Sequence, residues 1–459
     1  MTSRAGVAPP ALEIHAQPAG RFAIAASRNT FALLTIGLVW LIPAFFEPRF
    51  VRGMLVWDGL VIGAWLLDLW YLPPPAHLVV GRTWLRAPSL TVASGVRLTI
   101  RHAGRRVLLV RVLDTVAREL RPEPPTLEVA VRGPRAAEAE YEIRPTRRGE
   151  AQLGAVFLRY SSRWRLAERW ARAPLEQAVV TCPDLDEARR QSIYLIRSRQ
   201  IALEKRTTRR RGVGRAFESL RDHRTGDDFR DICWTATARR GKLVTRQYEI
   251  ERSQTVCLLF DTGRLMRTRV GALTKLDHAV NAGLALAEVA LAGGDQVGVL
   301  AYGRRISARV SAGRGSAHLG RIVECLALLR GDEWEADHIQ AASRMLTDQK
   351  RRSLIVWLTD LAETAMTPEV VRGASQLTAR HVVLFVVMGQ ADVTAVAARR
   401  PARVQDMYET AAAQELVQRR SALLARLRAQ GALTVETSSS HLAPALVNSY
   451  LDVKQRGLL

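Results

Sequence analysis

The sequence predicts a multidomain protein: a two-helix transmembrane hairpin, an all-β sandwich-like domain and a carboxyl-terminal doubly wound α/β domain. Three observations predict it. Two apolar runs lie close together near the amino terminus, short alternating β-branched runs follow, and near-continuous apolar strands then alternate with amphipathic helices. At 459 residues, 48% of them hydrophobic, the chain has room for two or three domains with sizeable cores. The boundaries read as a cytoplasmic tail at 1–28, the hairpin at 29–75, the β domain at 76–182, a connector at 183–252 and the α/β domain at 253–459.

Residues 31–46 (FALLTIGLVWLIPAFF) and 54–72 (MLVWDGLVIGAWLLDLWYL) each approach the roughly 20 apolar residues that a spanning helix needs. The short loop EPRFVRG at 47–53 forces a hairpin, so both ends share one side. Arg4, Arg21 and Arg28 precede the first run and Arg82 and Arg86 follow the second, against Arg49 and Arg52 in the loop. By the positive-inside rule the body is expected in the cytoplasm, at the inner (plasma) membrane. Trp57, Trp65, Trp70 and Tyr71 suit interfacial belts. Asp58 and Asp68 interrupt the second run, each near enough to a span end to reach the interface; the other reading is a proton or ion site.

The formal net charge is +23 at pH 7, and only five of the 67 basic residues are lysines: Lys205, Lys242, Lys275, Lys350 and Lys454. So basic a surface attracts anions, either nucleic acid or lipid headgroups, although an arginine excess also follows from genome composition alone. The run KRTTRRR at 205–211 has no interleaved aromatics, so it offers phosphate contacts without base readout. Membrane lipids are therefore the expected partner of the hairpin and the basic surface, and no specific nucleic acid is expected. Cys182, Cys233, Cys257 and Cys325 stand singly, which indicates neither a zinc site nor a disulfide framework.

From residue 79 to 180, runs such as LTVASGVRLTI, RRVLLVRVLDTV and TLEVAVRG alternate between Gly, Pro and charged turns, the pattern of a sandwich. This region holds no paired carboxylates, histidine cluster or phosphate-binding glycine loop, and reads as an interaction or spacer module. A helical connector at 184–204 leads to the basic run. Beyond it, TVCLLF, QVGVLAY, ISARVS, SLIVWLT, HVVLFVVM and LTVETS are candidate strands, with candidate helices at 275–292, 318–329, 338–346 and 411–429. Such apolar strands fill a sheet covered on both faces. The first of them runs into Asp261 at the edge where open α/β sheets meet ligands, and its Asp-x-Gly-x-Leu reads as a worn Asp-x-Ser-x-Ser.

The order LRDHRTGDDFRDICWTATAR, RQYEIE, LLFDTGRLM, GDQVGVLAY, LIVWLTDL and a closing YLDVKQRG resembles the Domain of Unknown Function 58 (DUF58) family. RPTRRGEAQLGAVFLRYSSRW resembles the segment that precedes that block in the same family. Gly214, Phe217, Leu220, Arg221, Gly226, Asp227, Arg230, Ile232, Trp234, Ala238, Arg239 and Glu251 match the family pattern, while Thr225 stands where a proline is usual. The resemblance implies a von Willebrand factor type A-like domain at 253–459 and work beside a MoxR-type AAA+ ATPase in protein assembly or maturation.

The implied domain type carries a metal-ion-dependent adhesion site: an aspartate, two hydroxyls, a distant threonine and a second aspartate around Mg²⁺. Here Gly263 and Leu265 stand at the hydroxyl positions after Asp261, Asp360 matches the second aspartate beside Thr359, and EWEAD at 333–337 holds no threonine. The site reads as degenerate, with no metal and no cofactor expected.

Asp227, Asp228 and Asp231 lie among Arg221, Arg224 and Arg230, close enough in sequence for arginine–carboxylate pairs around Trp234. Such a network either clips this arm onto the α/β domain or forms a docking surface. No nucleophile has a base beside it, no histidines have HExxH or HxH spacing, and no Walker A loop occurs. The expected function is a scaffold or adaptor, not an enzyme, with partner docking at Asp261, Arg264 and Asp360. The alternative is a metal-assisted hydrolase using Asp261 and Asp360.

Overall fold

The computed structural model describes residues 9–183 except 22, 105 and 134, and residues 216–458 except 224–228, 230, 231, 250–253 and 362–367. The expected helix at 184–204 and the basic run at 205–211 lie outside the described residues. The chain divides into two compact units, Met1–Asp184 and Leu185–Leu459.

In the first unit, one antiparallel sheet runs in the order Leu12–His15, Leu78–Trp84, Ser94–His102, Ala137–Ile143. A second runs Gln17–Pro18, Ala167–Ala173, Val156–Ser161, Val107–Asp114, Thr126–Arg132, with Ile24–Ala26 also on Ala167–Ala173. Every second residue of Ser94–His102 is buried, as a half-buried strand requires. Leu78, Val80, Leu98 and Ile100 of one sheet share a core with Val110, Val112, Leu158 and Ala171 of the other, so the sandwich expected from the alternation is present.

The segment expected as a separate tail belongs to this sandwich. Leu12–His15 pairs antiparallel with Leu78–Trp84, and its four residues alternate too briefly to announce a strand on their own. Among the described residues, one helix, Arg49–Tyr71, is long and apolar enough to cross a membrane. The run before it is shorter and broken into helix Arg28–Gly37, a 3-10 turn Leu38–Trp40 and helix Leu41–Ala44. The loop expected at 47–53 is shorter than predicted, because Pro48, with φ of −58°, already has the backbone angle that starts a helix at Arg49.

Asp68 does not reach an aqueous interface from its place in that helix. It is fully buried, and its Oδ2 accepts the backbone N–H groups of Leu166 (3.1 Å) and Ala167 (2.8 Å) at the start of a sandwich strand. Asp58 is half-buried, and its Oδ1 has no hydrogen-bond partner.

The second unit carries a six-stranded sheet in the order Ile306–Gly313, Gln296–Tyr302, Thr255–Asp261, Leu354–Thr359, Val382–Met388, Leu433–Thr437. Ile306–Gly313 is antiparallel to its neighbour and the other pairings are parallel. Leu354–Thr359 is buried throughout, as the apolar run SLIVWLT predicts. Helix Lys275–Ala292 lies so close to the sheet that a Cβ on Gly283 would stand 2.4 Å from the Phe260 ring. The closing YLDVKQRG is the last helix, Leu442–Arg456. Its Tyr450 and Lys454 both donate to the buried Asp295 of GDQVGVLAY, which ties two of the sequence motifs together.

Candidate functional site

The first strand of this sheet, Thr255–Asp261, pairs on one side with the next strand in sequence and on the other with Leu354–Thr359. Connections therefore leave it in opposite directions, and the carboxyl ends of the two central strands flank the point where such sheets form a ligand crevice. Asp261 and Asp360 stand there, 4% and 1% exposed.

Asp261 is engaged on both oxygens. Its Oδ1 accepts the Gly263 N–H at 2.7 Å and its Oδ2 accepts the Thr359 hydroxyl at 2.6 Å. Burial raises its carboxyl above the usual range. The charge of His338 and the hydrogen bonds from Thr359 and Gly263 pull the other way, and the charge of Asp360 adds to the rise. Gly263 is closely packed: a Cβ there would meet the backbone nitrogen and Cβ of Ala336 and Asp261 Oδ1, each at 3.0 Å. A serine in this place would push the facing loop back by a few tenths of an ångström.

That loop is EWEAD, where the sequence lacks a threonine. Its backbone straps across the strand ends: Asp332 N–H bonds the Thr262 carbonyl at 2.6 Å, Arg264 N–H bonds the Trp334 carbonyl at 2.9 Å, and Asp337 N–H bonds the Gly303 carbonyl at 2.9 Å. Trp334 is 61% exposed, with the Arg304 guanidinium 5.4 Å from its ring centroid. Arg264 pairs with Glu335 at 3.5 Å and Arg267 with Glu333 at 3.2 Å, all four side chains well exposed. Arg264 is thus the one member of the expected docking set that reaches solvent.

Asp360 is paired with Lys275, whose side chain is 3% exposed. Lys275 is the first residue of helix Lys275–Ala292, which Thr274 and Asp277 start with a reciprocal capping box. The positive end of a helix repels a cation, so the Asp360 carboxylate is what holds the ammonium there. Behind this pair the Trp357 Nε1–H donates to Tyr302 Oη at 2.6 Å, and Tyr302 Oη lies 2.9 Å from His338 Nδ1. An indole N–H only donates, so Tyr302 Oη accepts from Trp357 and keeps its own proton for a second partner, of which His338 Nδ1 is within reach. Burial lowers the His338 pKa and favours a neutral ring, against the charges of Asp261, Glu369, Asp337 and Glu335.

A divalent cation does not fit these residues. Gly263 and Leu265 offer no side-chain oxygen, the Thr359 hydroxyl already donates to Asp261, and an ammonium already binds Asp360. A hard cation needs an oxygen shell that the remaining groups do not supply among the described residues.

Sequence reasoning found Asp261, Thr359 and Asp360 but missed Lys275, Trp334 and the Tyr302–His338 pair. One signal was present: where arginine is the default cation, a lysine marks a position that arginine does not fill. Lys275 and Lys454 both bind buried aspartates. In the block upstream, Arg221 lies on strand Ala216–Asp222 opposite Thr245. Trp234 opens helix Trp234–Arg240 with 66% exposure, and Arg239 of that helix is also exposed. Gly226, Asp227, Asp228, Arg230 and Asp231, with Arg224, lie outside the described residues.

Residues 219–430 match the model of the family described as "Protein of unknown function DUF58". No curated protein matches the chain. Among solved structures, the conserved hypothetical protein BatB from Bacteroides thetaiotaomicron is 11% identical, with a TM-score of 0.30 over 44% of this chain and 100% of that one. Proximal thread matrix protein 1 from the mussel byssus is 12% identical, with a TM-score of 0.28 over 43% of this chain and 46% of that one.

Proposed function

We propose that the chain, which belongs to the DUF58 family, is a membrane-anchored scaffold whose α/β sheet edge docks a MoxR-type AAA+ ATPase during assembly or maturation of other proteins. One observation carries this reading. Asp261 and Asp360 are already engaged below the surface, while Arg264, Arg267, Arg304, Glu333, Trp334 and Glu335 are exposed around them. Tryptophan and arginine are the residue types that dominate protein interfaces, and among the described residues the rim holds no nucleophile with a base beside it.

On this reading the α/β unit is von Willebrand factor type A-like with a degenerate metal site, and the amino-terminal helices form a membrane hairpin. The pairing of Leu12–His15 with Leu78–Trp84 supports the hairpin, because the chain enters and leaves the apolar segment from the same β sheet. The arginines flanking that segment support a cytoplasmic body at the inner membrane. The Lys275–Asp360 pair speaks against a metal-assisted hydrolase, since it consumes one of the two carboxylates that such an enzyme would need.

The test is co-purification of the ATPase with the full-length protein from detergent-solubilised membranes. Arg264→Glu combined with Trp334→Ala, at unchanged melting temperature, should abolish it. Raised salt should weaken the wild-type contact and EDTA should leave it intact. Undiminished binding by the folded double variant would move the interface to the β sandwich.

A further inference from the structure

At the carboxyl end of helix Arg49–Tyr71 the first unit has a cavity of about 410 Å³, within the usual size of a small-ligand site. Asp68, Tyr71, Arg106, Ser162, Arg163 and Trp164 line it together with three apolar side chains. Each of these polar and aromatic groups has a definable capacity. The Arg106 guanidinium stands 3.9 Å from the centre of the Tyr71 ring and spends one N–H on the Tyr71 carbonyl, 3.3 Å away, its one hydrogen bond among the described residues. Arg163 is exposed and has no charged partner among the described residues. Trp164, 61% exposed, meets the edge of Tyr71 with ring centroids 6.3 Å apart. Asp68 is fully buried, and while its Oδ2 holds two backbone amides, its Oδ1 has no hydrogen-bond partner.

We propose that this cavity binds the headgroup of an aminophospholipid, with the phosphate between Arg106 and Arg163 and the ammonium at Asp68. Two guanidiniums at the mouth suit a phosphate ester. A carboxylate with an unused oxygen disfavours a purely anionic ligand and favours one that also carries a protonated amine, and the exposed Trp164 ring adds cation–π attraction for that amine. Position supports the same ligand: on the membrane reading proposed above, on which this inference rests, the helix end and its exposed Trp70 and Trp164 lie at headgroup depth.

The experiment measures thermal stabilisation and bound-lipid mass of the full chain in detergent. Its arms are short-chain phosphatidylethanolamine, phosphatidylglycerol, free phosphoethanolamine and inorganic phosphate. Wild type should bind the ethanolamine lipid about tenfold more tightly than the glycerol lipid. Asp68→Asn, which keeps an oxygen for the two amides, should reduce that preference to about twofold or less, and Arg163→Ala should weaken both lipids. Equal response to every lipid, or preference for phosphatidylglycerol, overturns the proposal. Response to inorganic phosphate equal to that of the ethanolamine lipid also overturns it, since the amine then contributes nothing. Binding of free phosphoethanolamine by a protein that fractionates away from membranes would sustain the site and sink the membrane reading. Membrane fractionation without any headgroup preference would do the reverse.

Discussion

Arg82–Asp114 in the β sandwich and Lys275–Asp360 at the edge of the α/β sheet are both buried opposite charges, and they are held very differently. Arg82 bonds both oxygens of Asp114 and also donates to the carbonyls of Leu175 (2.7 Å) and Gly154 (3.1 Å). Tyr141 adds its hydroxyl to Asp114 at 2.6 Å, so the charge is shared between the two sheets of the sandwich. Lys275, in contrast, directs its ammonium to Asp360 alone among the described residues. A guanidinium with five donors in a fixed fork can knit two layers; an ammonium on a flexible stem acts as a point charge. The first pair therefore reads as part of the sandwich's construction, and the second as a plug in a crevice where a ligand could otherwise stand.

The largest effect that separates the two is expected at Arg82. Arg82→Ala leaves Asp114 buried without its counter-charge and two carbonyls without a donor, and should cost about 3 to 5 kcal/mol in denaturant unfolding. Replacing both partners, Arg82→Met with Asp114→Leu, should recover little of it, because Tyr141 and the carbonyls stay unsatisfied. A double variant as stable as wild type would erase the difference between the two pairs.

A smaller cost is expected at the plug. Lys275→Met should destabilise the α/β unit by about 3 kcal/mol, and adding Asp360→Asn should restore most of that loss, because no charge is then left unpaired. Failure of the second substitution to rescue the first would mean that Lys275 is tied into the fold as firmly as Arg82.

The smallest effect concerns pH. The folded pKa of His338 is lowered below 6.5, so the neutral ring contributes stability that is present above pH 6.5 and lost as pH falls through the folded value. Asp261 runs the other way: its raised pKa contributes stability below 3.8 that is lost as pH rises through the folded value. His338→Gln keeps an acceptor for Tyr302 but removes the titration. Its stability should fall less steeply than that of wild type as the pH drops below 6.5, by at most about 1.4 kcal/mol per pH unit. Identical slopes would show that the folded ring takes up its proton over the same pH range as the unfolded chain, so that burial does not lower its pKa.

The strands of both units were legible because apolar periodicity is a local property. Leu354–Thr359 and Val382–Met388 read as interior strands from their composition, and Ser94–His102 as a half-buried one from its alternation. Less legible were positions whose meaning depends on what faces them. Arg82 and Asp114 read as polar residues on ordinary strands, Asp68 as a blemish in an apolar helix, and Leu12–His15 as tail, because each is explained by a partner far away in sequence.

The chain's residues alone determined that a sheet would form, that Asp261 and Asp360 would end two of its strands, and that no hydroxyl side chain stands at positions 263 and 265. Only the tertiary structure decided what stands beside these aspartates: Lys275 reaches Asp360 across 85 positions, and the EWEAD loop lies 3.0 Å from where a Gly263 Cβ would stand. The reason is physical. Periodicity and strand ends are set by neighbours along the chain, whereas a buried charge is accommodated by whichever opposite charge the fold brings within reach.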